Sequence, residues 1–297
     1  MTVVIILLAF LALLNGAAFW LYYRRTKRLL FRYRESVNQK SELLTQHLDA
    51  TFRRIESRLV HGRSDFENTT GDPSTWAVMF TYDRKGMAIR AIETLRQFEP
   101  ALPLLVIDNG SKDGTPEMLT QMLRQGTIQK VLFNTHEDVP QWQKSFALKQ
   151  ALKLLAMENP LYLVWLDDDL EITRPFVKEG IALLDTLREE RVKVINMTDS
   201  EVEERNHPTI KRVRVERFGI SEEIKIRPTF NGQINLFSTE FFREAGYPPI
   251  AEGITDWGLE DWFYSRRLID LDYRAAVFVA AVHHGTISKR EEKALQA

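Results

Sequence analysis

The sequence predicts an α/β domain on a mostly parallel sheet flanked by helices, preceded by an N-terminal transmembrane helix and an amphipathic helix. Three observations predict it. From Trp76 onward, short apolar runs alternate with helical segments. Val3 to Tyr22 is almost wholly apolar. Residues 25 to 61 contain neither proline nor glycine and repeat apolar residues at a 3-4-7 spacing.

The chain has 297 residues, 44% of them hydrophobic and 10% aromatic, enough for a sizeable core and an added apolar segment. A net charge of -1 gives no electrostatic case for nucleic acid. The absence of cysteine excludes disulfides and thiolate metal sites and suits a reducing compartment.

A helix of about 20 residues crosses roughly 30 Å of hydrocarbon, so Val3 to Tyr22 is long enough to span a bilayer. Trp20, Tyr22 and Tyr23 then sit where an interfacial aromatic belt belongs. A cleaved signal peptide fits less well. No Lys or Arg precedes the run, and Ala17-Ala18 is followed by bulky Phe19-Trp20. Arg24, Arg25, Lys27, Arg28, Arg32 and Arg34 follow the span directly. By the positive-inside rule the remainder lies in the cytoplasm, as in a single-pass protein of a bacterial inner (plasma) membrane. The basic cluster could also hold anionic headgroups.

Val37, Leu44, Leu48, Phe52, Ile55 and Leu59 form one apolar stripe in the segment 25 to 61. That stripe can pack on the α/β domain or on a second copy, which would make a homodimer. Gly62 and the polar run Arg63 to Ser74 read as a linker. The expected organisation is an anchor at 1–23, a basic juxtamembrane and amphipathic helix at 24–62, a linker at 63–75, the α/β domain at 76–290 and a tail at 291–297.

Within that domain, Trp76 to Phe80, Leu104 to Ile107, Val131 to Phe133, Leu161 to Leu166 and Val192 to Ile195 read as buried strands. Met87 to Phe98, Pro116 to Arg124, Trp142 to Met157 and Pro175 to Glu190 read as helices, with Pro116 and Pro175 in first turns. Ligands of such sheets sit at the carboxyl ends of strands. There the sequence has Thr81-Tyr82-Asp83-Arg84, then Asp108 to Thr115, then Asp167-Asp168-Asp169.

Three adjacent carboxylates raise one another's pKa, and a divalent cation removes that cost. Oxygen-only ligands favour Mg²⁺ or Mn²⁺ over zinc. Strand alternation would let Asp167 and Asp169 act together. A solvated acidic turn or helix cap before Glu171 is the alternative for the triplet taken alone.

The order Thr81-Tyr82-Asp83-Arg84, Val106 to Thr115 (with Asp108-Asn109-Gly110-Ser111) and Trp165 to Asp169 resembles the family 2 glycosyltransferases. The resemblance covers roughly Trp76 to His284. It implies the glycosyltransferase-A fold, a Rossmann-like sheet, and a nucleoside diphosphate sugar donor, usually a UDP-sugar. Carried over by position, it implies that Thr81 and Tyr82 line the base pocket and that Asp108 contacts base or ribose. Asp167 and Asp168 would lie near ribose and sugar, and Asp169 would hold the metal. The chain departs from the family in having Asp83 where Asn is frequent. It also has Gln143 to Lys149 where a Gly and an Asn are frequent. Lys144 or Lys149 could meet the diphosphate or lie exposed on a helix.

Asn231 to Phe237, then Ser238 to Tyr247, is similar to the family's glycine-containing strand and short helix. Gly246 suits a C-terminal cap. In Asp256 to Trp262, a carboxylate at a helix start can take a proton from an acceptor hydroxyl, although an ordinary acidic helix start looks the same. In the family such an acidic pair supplies the base, which assigns Asp261 that role and Glu260 the orientation of the acceptor. Trp257 and Trp262 could stack on sugar faces. Several relatives place a C-terminal His on the metal. His283 and His284 are the candidates here, with His284 preferred. Thr198 to Thr229 is charged and irregular, a mobile or merely solvated segment in which Val213 and Val215 could form an edge strand.

The expected function is metal-dependent, inverting transfer of a sugar to a hydroxyl acceptor, a cell-envelope or lipid-linked glycan by its membrane setting. Two rivals differ from it. A sugar-nucleotide nucleotidyltransferase would want a glycine-rich basic loop after the first strand, and only Arg84, Lys85 and Gly86 stand there. A non-catalytic membrane scaffold with a degenerate domain is opposed by intact aspartates and Glu260-Asp261.

Overall fold

The computed structural model describes residues 59–61, 74–135, 144–156, 158–199, 201–217, 220–246 and 259–283. The chain divides into two compact units, Met1–Arg54 and Ile55–Ala297, and every described residue belongs to the second. The expected span Val3 to Tyr22 and most of the amphipathic segment lie outside the described residues. Among the described residues no helix is long and apolar enough to cross a membrane. The helix expected to run through His61 does not reach it: Leu59–His61 form a strand, β1.

Near-continuous apolar runs become strands buried on both faces. They are β2 (Thr75–Thr81), β3 (Leu104–Asp108), β4 (Lys130–Phe133) and β5 (Tyr162–Asp167). Helices α1 (Lys85–Phe98), α2 (Thr115–Arg124) and α3 (Lys144–Leu155) connect them in turn. Each connection leads to a parallel strand, giving the order β4-β3-β2-β5. Pro116 sits in the first turn of α2, where its missing N–H costs nothing.

Beyond β5 the sheet is mixed, which corrects the mostly parallel expectation. β6 (Leu170–Ile172) leaves to pair with β12 (Ala281–His283) in a separate two-stranded sheet. β7 (Val192–Asn196) follows helix α4 (Val177–Thr186). β10 (Ile234–Ser238) then enters antiparallel to both β5 and β7. β11 (Arg274–Val277) is parallel to β7, and β9 (Ile220–Arg227) and β8 (Lys211–Arg217) complete that side. β1 pairs antiparallel with β4 at the opposite edge. The Thr198 to Thr229 region is therefore organised rather than irregular. It contains α5 (Glu201–Asn206) and the β8-β9 pair, with Val213 and Val215 in the edge strand. A further helix, α6 (Thr239–Ala245), ends on Gly246 at φ 77°, as the sequence suggested for this cap. α7 (Leu259–Asp270) precedes β11.

Pro175 is not in a helical turn. α4 starts two residues later, because Glu99 at the end of α1 reaches across to cap it. One Glu99 oxygen accepts from Phe176 N–H at 2.6 Å and from Val177 N–H at 2.8 Å. A carboxylate on the first N–H groups is favoured by the helix dipole. Arg96 of α1 works similarly on the opposite side, donating to the carbonyls of Thr127, Glu99 and Leu102. Replacing Glu99→Ala should lower unfolding stability by about 1–2 kcal/mol, a cap's usual contribution, measured by urea denaturation.

Candidate functional site

Two loops at the carboxyl ends of β2 and β3 are tied together by hydrogen bonds. Asp83 N–H donates to Ser111 Oγ at 2.8 Å, and Lys112 N–H donates to Asp83 Oδ1 at 2.6 Å. Lys85 N–H donates to Asp113 Oδ2 at 2.8 Å. Asp83 adopts a positive φ of 49°, a conformation that Asn and Asp tolerate better than other side chains. This explains why Asp can stand where the family frequently has Asn.

Asp108 is 1% exposed, and its carboxylate accepts from both Ser111 N–H and Ser111 Oγ. It shapes its own loop. Burial pushes the Asp108 carboxyl up to about 6, although the Ser111 hydrogen bonds oppose that rise. Thr81 is buried at the end of β2, and its carbonyl accepts from Asn109 N–H at 3.0 Å. Tyr82 is partly exposed, with its phenol pushed up by burial and by Asp83.

The aspartate triplet is split by the end of β5. Asp167 is its last residue, while Asp168 and Asp169 form the bend before β6. Strand alternation therefore stops short of Asp169, and the partners are Asp168 and Asp169 rather than Asp167 and Asp169. Arg84 Nη1 bridges that pair, 3.2 Å from Asp168 Oδ1 and 3.0 Å from Asp169 Oδ2. Burial raises the Asp168 carboxyl to about 7, against the pull of Arg84 and with help from Asp169. Burial alone would lower the Arg84 guanidinium, but Asp168 and Asp169 outweigh it and hold it above its ordinary value.

Asp167 pairs with Lys144, the first residue of α3. Lys144 Nζ also donates to the Gly232 carbonyl at 3.2 Å and lies 4.8 Å from the Trp165 ring centroid. Gly232 in turn lies against Asp261. A methyl group on Gly232 would overlap the Asp261 carboxylate where it now lies, so a larger residue there must displace it. Asp167, Lys144, Gly232 and Asp261 are thus contiguous, although Asp261 lies far along the chain from the triplet. Beneath Gly232, the buried side chains of Asn196, Thr198, Asn231 and Asn235 hydrogen-bond one another and fix the turn before β10.

The other expected residues are less fully placed. Glu260 is in α7, but its side chain, like all of Trp257 and His284, lies outside what is described. Trp262 is 65% exposed, off the packed ridge of α7 formed by Tyr264, Ser265 and Leu268. His283 pairs in register with Leu170, the residue after Asp169. Lys149 is drawn below its ordinary pKa by burial and by Lys153. Arg84, Gly232 and Ser111 were not singled out as site residues in the sequence. A basic residue in the loop after one strand, with an acidic run after another, was the available signal for Arg84.

Among the described residues, no group of three or more His, Asp or Glu side chains is gathered to hold a metal. Asp168 and Asp169 nevertheless already share one cationic group. Asp168 Oδ2 is buried against the Thr81 hydroxyl. Mg²⁺ and Mn²⁺ commonly take one or two carboxylates and complete their shell with water and substrate phosphates. The pair fits such an ion on those terms.

Acidic and hydroxylic side chains thus gather at the carboxyl ends of parallel strands, where α/β sheets bind their ligands. The profile of glycosyl transferase family 2 matches residues 76–247, more than half of the chain. The chain belongs to glycosyl transferase family 2: it is a glycosyltransferase with a mixed α/β, glycosyltransferase-A-like fold. A comparison with curated protein sequences finds no match. Among solved structures, a mannosyltransferase from Pyrobaculum calidifontis in complex with GDP-Man and Mn²⁺ is similar at 17% identity. The match covers 85% of this chain and 71% of that one, with a TM-score of 0.49. Glucosyl-3-phosphoglycerate synthase from Mycobacterium tuberculosis, with Mn²⁺, UDP and glucosyl-3-phosphoglycerate, is similar at 17% identity. The match covers 75% of each chain, with a TM-score of 0.43. A CMP:2-keto-3-deoxy-manno-octonic acid synthetase complexed with CTP is similar at 12% identity over 75% of this chain and 97% of that one, with a TM-score of 0.43. The family match, not these likenesses, carries the assignment.

Two outcomes follow from the geometry. A carboxyl whose folded pKa is raised contributes most below its ordinary value of 3.8, and that contribution is lost as pH rises through about 6. Asp108→Asn should therefore gain stability relative to the parent between pH 4 and pH 7. The gain should be of the order of 2–3 kcal/mol, read from melting curves across that range. Gly232→Ala should displace the Asp261 carboxylate and reduce sugar transfer by roughly 10- to 100-fold in a turnover assay.

Proposed function

We propose that the protein catalyses metal-dependent, inverting transfer of a sugar from a nucleoside diphosphate donor, a UDP-sugar, to a hydroxyl group of a cell-envelope or lipid-linked glycan. The observation that carries this reading is the contact chain from Asp167 through Lys144 and Gly232 to Asp261. It brings an acceptor-side carboxylate against the donor-side rim.

Thr81, Tyr82 and the loop held by Asp108 line the nucleoside pocket, with Asp167 and Asp168 beside the ribose and sugar. Asp169, with Asp168 next to it, would hold Mn²⁺ or Mg²⁺, and the pairing of His283 with Leu170 supports His284 or His283 as a further ligand. When bound, the ion neutralises charge on the leaving diphosphate. Asp261 takes the proton of the acceptor hydroxyl, so that the oxygen attacks from the face opposite the diphosphate. Glu260 orients the acceptor, and Trp257 and Trp262 offer apolar faces to it.

When all three aspartates are ionised, Arg84 and Lys144 leave the triplet one net negative charge. That residual charge favours a cation arriving with an anionic donor. The apolar run Val3 to Tyr22 anchors the chain at the cytoplasmic face of a bacterial plasma membrane, and the stripe that follows supports a homodimer.

The test is donor hydrolysis and transfer by the purified chain with and without Mn²⁺. Asp169→Ala and Asp261→Asn should each lower turnover by about 100-fold or more. The Asp261→Asn chain should still bind UDP and Mn²⁺. Full transfer by both variants would overturn the mechanism.

A further inference from the structure

Arg84 stands where a cation on Asp168 and Asp169 would stand. A single nitrogen, Nη1, makes both contacts. The pair therefore lacks the two-pronged geometry that makes arginine-carboxylate contacts strongest. Both carboxylates are buried, whereas the Arg84 side chain is a quarter exposed. Its backbone is fixed at the start of α1, where the Arg84 carbonyl accepts from Ala88 N–H at 2.9 Å. The side chain can turn outward without moving that helix. A divalent ion and a guanidinium cannot occupy the same two oxygens, because like charges a few ångströms apart repel.

We propose that Arg84 is a tethered competitor of the divalent cation, neutralising Asp168 and Asp169 in the nucleotide-free protein and leaving them when the ion binds. This rests on the reading that those two aspartates hold the ion. Without Arg84, two buried neighbouring carboxylates would destabilise the empty protein. With it, the free ion must displace a bound charge and so binds weakly. A diphosphate arriving with the ion adds oxygen ligands and offers the released guanidinium another anion. Ion and nucleotide then bind more tightly together than either does alone.

The experiment is Mn²⁺ titration of the 297-residue chain, followed by the electron paramagnetic resonance signal of the free ion, with and without UDP. Arg84→Met should bind Mn²⁺ roughly 10- to 100-fold more tightly than the parent in the absence of UDP. UDP should then enhance Mn²⁺ binding less in Arg84→Met than in the parent. Asp169→Asn should abolish binding in both backgrounds. Equal or weaker Mn²⁺ binding by Arg84→Met, with Asp169→Asn still abolishing it, overturns the competitor role and leaves the metal reading standing. Absence of Mn²⁺ binding in every chain, even with UDP, overturns the metal reading and this inference with it. Should Arg84→Met fail to fold, arginine side-chain NMR of the parent during Mg²⁺ titration decides the question. The Arg84 Nη–H signals should lose their ion-paired character as the ion saturates, and unchanged signals at saturation overturn the proposal.

Discussion

Ile234 pairs with Leu166, and Asp167 N–H donates to the Gln233 carbonyl at 2.9 Å. From this register follows the meeting of the two halves of the site. β10 enters between β5 and β7, so the turn at residues 231–233 abuts the end of β5 where the aspartates begin. Gly232 then lies within reach of Lys144 from one side and of Asp261 from the other. A shift of one residue in this pairing would turn every side chain of β10 to the opposite face. Leu236 and Phe237, both buried, occupy those two faces and make such a slip costly.

Polar groups hold this arrangement in place at considerable burial. Asn196 and Asn235 are fully buried, with Asn196 Nδ2 donating to Asn235 Oδ1, and Arg227, also buried, pairs with Asp199 and Glu204. Buried donors and acceptors that find partners favour one geometry over others. The same principle governs the aspartate bend. Its carboxylates are tolerated because Arg84 and Lys144 stand beside them, and the bend keeps a preference for further positive charge.

The parts of the fold with local signals were legible in the sequence. Apolar runs marked β2 to β5 and β7, Pro116 marked the start of α2, and Gly246 marked the end of α6. Polar residues at three strand ends marked the rim. What escaped depends on partners distant in the chain, which leave no periodic trace. The antiparallel entry of β10 looks in sequence like any other short apolar run. The start of α4 is set by Glu99 rather than by Pro175, about 77 residues of separation that no local pattern bridges. Charged β8 and β9 read as irregular because their exposed faces hide the alternation that buries Val215, Ile224 and Ile226. Within the site, the aspartates and Asp261 were visible as residue types. The pairing of the triplet with Arg84 and Lys144, and the close approach of Gly232 to Asp261, emerge only from packing.

The central claim is that the Asp168-Asp169 bend and Asp261 face one reaction space across Gly232. A crystal structure of the chain with UDP and Mn²⁺, read by the anomalous signal of manganese, tests it most directly. The account predicts a manganese peak bound by Asp169 and the diphosphate, Arg84 withdrawn from the aspartates, and the Asp261 carboxylate facing the terminal phosphate across a gap wide enough for a sugar. A manganese peak away from the bend, or Asp261 turned from the nucleotide with Gly232 still packed against it, would contradict it.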